Sequence, residues 1–285
     1  MPSISIAIPT YNRADKLIRL LNNIEAELRD YNLCGQVLVL VSDNASSDDT
    51  QAIVADFKSN NFRVDYFRQE KNIGFDGNVR FLYETAQSDY VWFFSDDDII
   101  LPGAIQQVIS GLKETGPDVL LFSFIQPLGS ETRQFNYQDQ LTIIKNPSEI
   151  IELCAYFAKI SIYVVKKIRL SETQKRELVP FYENGLYWID LCFSVFASSN
   201  NPNLCIISQP LASCDNDFHK IAFGPGVFLN AYTIYYHPFV LAHLPNMAAA
   251  TRPKSYYSAI QLLFALHMGS LIADDPTMIE QEINS

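Results

Sequence analysis

Glycine-rich phosphate loops are missing from this 285-residue chain. No GxGxxG follows its first apolar run and no GxxxxGK[ST] occurs anywhere. Backbone amides at a Gly-rich helix start are therefore not the means by which it would hold a phosphate. Cysteine is scarce and scattered: Cys34, Cys154, Cys192, Cys205 and Cys214 include no CxxC pair. This spacing suggests neither a zinc site nor a disulfide framework and fits a reducing cytoplasm. Basic residues are outnumbered, with 21 Lys plus Arg against 32 Asp plus Glu and a net charge of −11. No basic cluster offsets that excess, so a nucleic-acid partner is excluded. The start, MPSISIAIPTYNR, has no basic n-region and no sustained apolar stretch, and reads as a strand rather than a signal peptide or anchor. Residues 221–251 lack Asp, Glu, Lys and Arg, but Pro225, Pro238 and Pro245 interrupt them, which argues against a transmembrane helix.

What is present is a core-forming composition, 48% hydrophobic and 19% charged, arranged with a rhythm. Ile4, Ile6 and Ile8 alternate with small residues up to Pro9, as a strand does. Leu17, Leu20, Leu21, Ile24 and Leu28 follow at helical spacing, and 36–41 is a second apolar run. Ser46 or Ser47 is placed to cap a helix carrying Ile53, Val54 and Phe57, with Asp48 and Asp49 in its first turn. Residues 64–67 predict a third strand, 78–87 a helix, 90–94 a buried strand, 102–113 a helix and 118–124 a fifth strand. Such alternation implies right-handed crossovers, a parallel sheet and helices on both faces. Beyond residue 125 the rhythm weakens: 150–157 and 186–197 read as helices, 160–165 as a strand, and 256–272 as a last helix before an acidic tail.

Ligands of an open parallel sheet bind beyond the carboxyl ends of its strands. Those ends read Pro9-Thr10-Tyr11-Asn12-Arg13, Ser42-Asp43-Asn44 and Ser95-Asp96-Asp97-Asp98. Three adjacent carboxylates after a buried strand repel one another and take up protons unless a cation offsets them. Oxygen ligands without a nearby His or Cys cluster suit Mg²⁺ or Mn²⁺, ions that complete their shells with substrate phosphates. The expectation is a divalent metal and a phosphorylated ligand. Each motif also has a plainer reading. Asp43-Asn44 can be a helix-capping turn, Asn72 and Gly74 turn formers, and Pro9 and Tyr11 strand-end packing.

Four segments together carry a resemblance: Ser5 to Arg13, Val41 to Thr50, Asn72-Ile73-Gly74 with Asn78, and Phe94 to Asp98 with Pro102-Gly103. In this order over the first 125 residues or so they resemble glycosyltransferase family 2, of the GT-A fold. The run NIGFDGN at 72–78 resembles abequosyltransferase-like enzymes of bacterial O-antigen assembly. The resemblance implies an α/β fold, a GT-A (Rossmann-like), mostly parallel sheet flanked by helices, with a helical C-terminal extension. Residues 1–125 would be a nucleotide-sugar-binding half, 126–220 an acceptor-binding half of the same domain and 221–285 the extension.

It also implies roles. Asp43 would bond the nucleobase, Pro9, Thr10 and Tyr11 would wall the nucleoside, and Arg13 would join the nucleotide-sugar site. Asp96 or Asp97 would reach the ribose, and Asn72 and Asn78 would support the turn or touch the nucleotide. Asp98, with Asp96, would hold Mg²⁺ or Mn²⁺ on the diphosphate, and His219 resembles a late histidine that completes such a site. Members of the family invert the anomeric centre, which requires a base for the attacking hydroxyl. Ile189 interrupts the family's acidic pair, so Asp190 is the expected base and Glu183 the reserve. The expected reaction is sugar transfer from a nucleoside-diphosphate sugar to a glycan or lipid-linked saccharide, as in surface polysaccharide synthesis. It would take place in the cytoplasm, with contact at the inner face of the cell membrane and homo-oligomerisation both left open by the aromatic stretch 228–239. Two alternatives remain at this stage. One is a haloacid-dehalogenase-like phosphohydrolase, since a strand followed by DxD describes its motif too. The other is a nucleotide-sugar-binding module without a base.

Overall fold

Isoleucines at 4, 6 and 8 give the first strand a side chain too bulky for anything but the core, and β1 (Ile4–Thr10) is buried along its whole length. Its other face carries Ser5 and Ala7, and Ser5 Oγ meets Ser88 Oγ at 2.5 Å. The computed structural model describes residues 3–126, 139–156, 159–174 and 187–214. All belong to a unit spanning Met1–Val240. The expected helix at 256–272 and the uncharged stretch 221–251 lie outside the described residues. Among the described residues no helix is long and apolar enough to cross a membrane.

The chain continues through α1 (Ala14–Asp30), β2 (Val37–Asp43), α2 (Thr50–Asp56), β3 (Val64–Arg68), α3 (Gly74–Thr85), β4 (Tyr90–Phe93) and the two-residue β5 (Ile99–Ile100). Then come α4 (Ala104–Thr115), β6 (Val119–Ile125), β7 (Leu141–Ile144), α5 (Pro147–Tyr156), a 3₁₀ turn (Ile160–Ile162), β8 (Tyr163–Lys166), α6 (Tyr187–Ala197) and β9 (Leu204–Ser213). Helix α1 buries Leu17, Leu20, Leu21, Ile24 and Leu28, the stripe its spacing predicts.

One sheet holds all the strands in the order β3-β2-β1-β4-β8-β6-β9-β5, with β7 beside β9. Strands β1 to β4 are mutually parallel where they pair, so their carboxyl ends share one edge. The expected sheet forms, parallel through β1 to β4, with antiparallel pairings beyond them. Strand β8 runs antiparallel between β4 and β6, pairing Val165 with Val91 on one side and Val119 on the other. Strand β9, not anticipated from sequence, runs parallel to β6, and the register slips beside Ser123, opposite Pro210. Proline cannot donate to a ladder, so a slip at this point is where the pairing tolerates it. Trp92 packs edge-on against Phe94 and Phe122 at ring separations of 5.6 and 5.5 Å, joining β4 to β6 across the inserted strand.

Two helix starts differ from expectation. Ser46 and Ser47 do not cap α2, which begins at Thr50. Asp48 bonds Thr50 N at 3.1 Å and also Ala14 N at 3.0 Å, serving the starts of α1 and α2 together. Helix α4 follows Gly103, held at φ +79, where no side chain of its own segment caps the helix. The buried Glu27 of α1 accepts Gly103 N at 2.9 Å instead. Burial raises the pKa of Glu27, against the lowering effect of the Gly103, Ile105 and Ala104 amides. Glu27→Ala is expected to destabilise the fold by about 1–2 kcal/mol through this lost cap, measured by urea denaturation. A change within 0.3 kcal/mol would show that the cap contributes nothing.

Candidate functional site

The shared carboxyl edge of β1, β2 and β4 gathers two hydrogen-bonded clusters. In the first, Thr10 Oγ1 donates to Asp96 Oδ2 at 2.7 Å. Arg13 Nη1 donates to Asp96 Oδ1 at 2.8 Å and to Asp97 Oδ2 at 2.9 Å. Lys16 Nζ lies 3.7 Å from Asp97 Oδ2, and Arg19 Nη2 donates to the Asp97 carbonyl at 2.5 Å. Ser95 Oγ closes the ring on Asp97 Oδ1 at 2.5 Å. Helix α1 follows directly after the β1 turn, so the basic residues at 13, 16 and 19 face the acidic loop after β4.

This corrects the electrostatic expectation from sequence. The crowded acids do not need a metal to be tolerated, because two of the three are offset by Arg13 and Lys16. Burial pushes Asp96 up to about 6, opposed by the Arg13 guanidinium and reinforced by Asp97.

Asp98 reaches the 3₁₀ turn before β8 and the end of β9. Its Oδ2 accepts Ser161 Oγ at 2.5 Å, and the Cys214 thiol bonds to it as well. Ser161 also accepts Ser95 N at 3.0 Å through its hydroxyl and Trp92 Nε1 at 2.8 Å through its carbonyl, which fixes the acidic loop against the 3₁₀ turn before β8.

The partners of each oxygen bear on where a divalent cation fits. Asp96 and Asp97 have both oxygens engaged, with a guanidinium against each. Asp98, with the Ser161 hydroxyl and the Cys214 thiol among its partners, offers a hard carboxylate oxygen of the kind Mg²⁺ or Mn²⁺ takes. Among the described residues no group of three His, Cys, Asp or Glu could hold a metal. A cation on Asp98 would therefore take most of its shell from a ligand's phosphates.

The second cluster surrounds Asp43, which is fully buried. Its Oδ2 accepts Tyr66 OH at 2.5 Å, its Oδ1 accepts Ser46 N at 2.8 Å, and Arg68 Nε lies 3.6 Å away. Burial first, and then the Asp43 carboxylate, raise the Tyr66 pKa. The β2–β3 register sets Arg68 beside Asp43. Asn44 donates to Asn72 Oδ1 at 3.0 Å and to the Gly74 carbonyl at 3.1 Å, and it accepts Ile73 N at 2.8 Å. Gly74, at φ +76, supplies the left-handed turn this clasp requires. Asn78 exchanges bonds with Ser42, accepting the hydroxyl at 2.5 Å and donating to the carbonyl at 2.9 Å. Asn72 and Asn78 thus bind chain segments to one another. Pro9 is buried within β1, and Tyr11 is exposed at the rim.

Asp190 lies elsewhere, fully buried in the first turn of α6, a helix packed on α3. Glu183 and His219 lie outside the described residues. Sequence reasoning missed Tyr66, Arg68, Ser161 and Cys214. The pairing of β2 with β3 could have pointed to Arg68; no sequence signal marks Ser161.

Comparison with known proteins bears on this arrangement. The family described as Glycosyl transferase family 2 matches residues 5–166. Abequosyltransferase RfbV of Salmonella typhimurium is 31% identical over 238 residues, covering 75% of this chain and 67% of its own length. The GalNAc(5)-diNAcBac-PP-undecaprenol beta-1,3-glucosyltransferase of Campylobacter jejuni is 29% identical over 195 residues, 67% of this chain and 60% of its own. The chain thus spans about three fifths to two thirds of these relatives. The crystal structure of S. aureus TarS 1–349 superposes with a TM-score of 0.60 at 17% identity, covering 95% of this chain and 80% of that one. Its complex with UDP-GlcNAc gives 0.60 at 16%. These likenesses establish a GT-A fold, and the haloacid dehalogenase alternative falls with them. Both acid-bearing clusters lie within residues 5–166, and the chain belongs to glycosyl transferase family 2.

Proposed function

We propose that this protein transfers a sugar from a nucleoside-diphosphate sugar to a hydroxyl of a glycan or lipid-linked saccharide, with inversion, in the assembly of a surface polysaccharide. The observation that carries the reading is the pair of acid clusters at one sheet edge of a family 2 chain, Asp96 and Asp97 on Arg13 and Asp43 on Tyr66 and Arg68. The TarS structures in complex with UDP and UDP-GlcNAc support a nucleotide-sugar donor. The name of the Campylobacter relative supports an undecaprenol-linked acceptor, and that of the Salmonella relative supports sugar transfer.

Residues 1–125 receive the donor and 126–220 the acceptor, with 221–285 an extension. The nucleoside lies between Pro9, Thr10 and Tyr11 and the loop of Asp43. Arg13 holds Asp96 and Asp97 in place toward the ribose. Asp98 would hold Mg²⁺ or Mn²⁺, with His219 as a further ligand, and such an ion would supply charge neutralisation to the departing diphosphate. Asp190, with Glu183 in reserve, takes the proton of the attacking hydroxyl. A lipid-linked acceptor would bring the protein to the inner face of the cell membrane.

Equilibrium binding of UDP, CDP, GDP and dTDP, each with and without Mn²⁺, tests the donor site. At least one is expected to bind about tenfold more tightly with Mn²⁺, a difference of about 1.4 kcal/mol, and Asp98→Ala to abolish that gain. Equal affinity with and without the ion would reject Asp98 as its seat.

A further inference from the structure

Asp76, in the first turn of α3, is a carboxylate with 2% exposure. Burying such a group is costly unless its oxygens are bonded. Its Oδ1 accepts Tyr187 N at 3.1 Å, from a residue 111 positions along the chain. Tyr187 opens α6, so this carboxylate receives one of the first-turn amides that a helix leaves free, at the positive end of its dipole. Asp76 stands in the first turn of its own helix too, so one negative charge serves the starts of two helices. The neighbouring residues repeat the grip: Phe75 meets Trp188 edge-on at 5.8 Å and 89°. Consecutive residues of α3 thereby hold consecutive residues of α6.

The same run, 72–78, is fastened at both ends to the carboxyl end of β2. Asn72 is clasped by Asn44, and Asn78 by Ser42. Asn44 N in turn bonds the Thr10 carbonyl at 2.9 Å. A continuous series of bonds therefore runs from the ends of β1 and β2, through α3, to the turn that carries Asp190.

We infer that Asp76 is a positioning residue for sugar transfer: by holding the Tyr187 amide it fixes the first turn of α6, and Asp190 with it, relative to the donor loop at 43–44. This rests on Asp190 being the base proposed above. A reacting carboxylate displaced by about 1 Å loses on the order of 10²-fold in rate, so the effect of losing Asp76 belongs in kcat.

The test compares Asp76→Ala, Asp76→Asn and Asp190→Asn in the full chain. UDP-, CDP-, GDP- and dTDP-linked sugars are screened for thermal stabilisation of the parent protein, and the one giving the largest rise is the probe. Steady-state hydrolysis of that nucleotide sugar, with water in place of the acceptor hydroxyl taking the sugar and the nucleoside diphosphate leaving, gives kcat and KM, and direct titration gives affinity for the nucleoside diphosphate. Asp76→Ala is expected to lower kcat about 10–100-fold with KM and nucleoside-diphosphate affinity within about twofold. Asp76→Asn keeps an oxygen acceptor for the Tyr187 amide and is expected to recover kcat to within about threefold of the parent. Should Asp76→Ala fail to fold, the asparagine variant decides, since impairment beyond tenfold there overturns the inference. Unchanged kcat in Asp76→Ala, or a fall in affinity matching the fall in kcat, also overturns it. If Asp190→Asn is inactive in either of those cases, the positioning role alone is lost. If Asp190→Asn keeps full turnover, the base assignment fails and the inference with it.

Discussion

Asp190→Asn is expected to lower turnover by about 10²–10⁴-fold, the range contributed by a positioned general base, while nucleoside-diphosphate affinity stays within about twofold. The substitution is nearly isosteric, which matters in a helix where every residue from Tyr187 to Phe196 is buried. An amide keeps the size of the carboxylate and one acceptor oxygen, while an NH₂ donor replaces the other oxygen and the negative charge that takes the proton is lost. The side chain is remote from the Arg13–Asp96–Asp97 cluster in the chain, so a loss confined to kcat separates acceptor chemistry from donor binding. Asp190 stands between Ile189 and Leu191, with no acid beside it in sequence. Unchanged turnover would move the role to Glu183, and Glu183→Gln is the matching control.

Arg13→Met is expected to destabilise the protein by about 2–3 kcal/mol. One guanidinium nitrogen bonds both Asp96 and Asp97, and the Asp96 side chain is 1% exposed. Removing Arg13 leaves two adjacent carboxylates with Lys16 at 3.7 Å from one of them and Thr10 and Ser95 hydroxyls on the other oxygens. Breaking a wholly buried pair costs about 3–5 kcal/mol, and the 31% exposure of Arg13 lets solvent relieve part of this. The melting temperature should fall on the order of 5–10 °C. Arg29→Met is the control: Arg29 pairs with Asp30 where both side chains are more than half exposed, and its loss should cost under about 0.5 kcal/mol. Equal effects in the two variants would show that the acidic loop does not depend on Arg13.

The first 125 residues were legible because their signals are local. Alternating isoleucines, the five-residue stripe of α1 and the unbroken run before the acids each fix an element from within a dozen residues. Position in the sheet then follows from crossover rules, and with it the edge where Asp43 and Asp96 to Asp98 stand. The partners of those acids were not legible. Arg13 reaches Asp96 across 83 positions and Ser161 reaches Asp98 across 63, distances over which periodicity is silent. The inserted β8 was read as a strand, but its antiparallel direction depends on pairing with β4 and β6 on both sides. Strand β9 was missed because Pro210 and the polar Ser208 and Gln209 interrupt its apolar pattern. The counter-charges of Asp96 and Asp97 escaped the sequence for the same reason, since Arg13 and Lys16 reach them from the turn after β1 and from α1, which the fold lays beside the acidic loop.

The most direct measurement is a crystal structure of the protein grown with Mn²⁺ and the nucleotide sugar that stabilises it most. The expected result is a nucleoside between Tyr11 and the Asp43 loop, with an ion bridging the diphosphate to Asp98. A nucleotide bound at any other surface, with Asp98 still closed on Ser161 and Cys214, would contradict the proposed donor site.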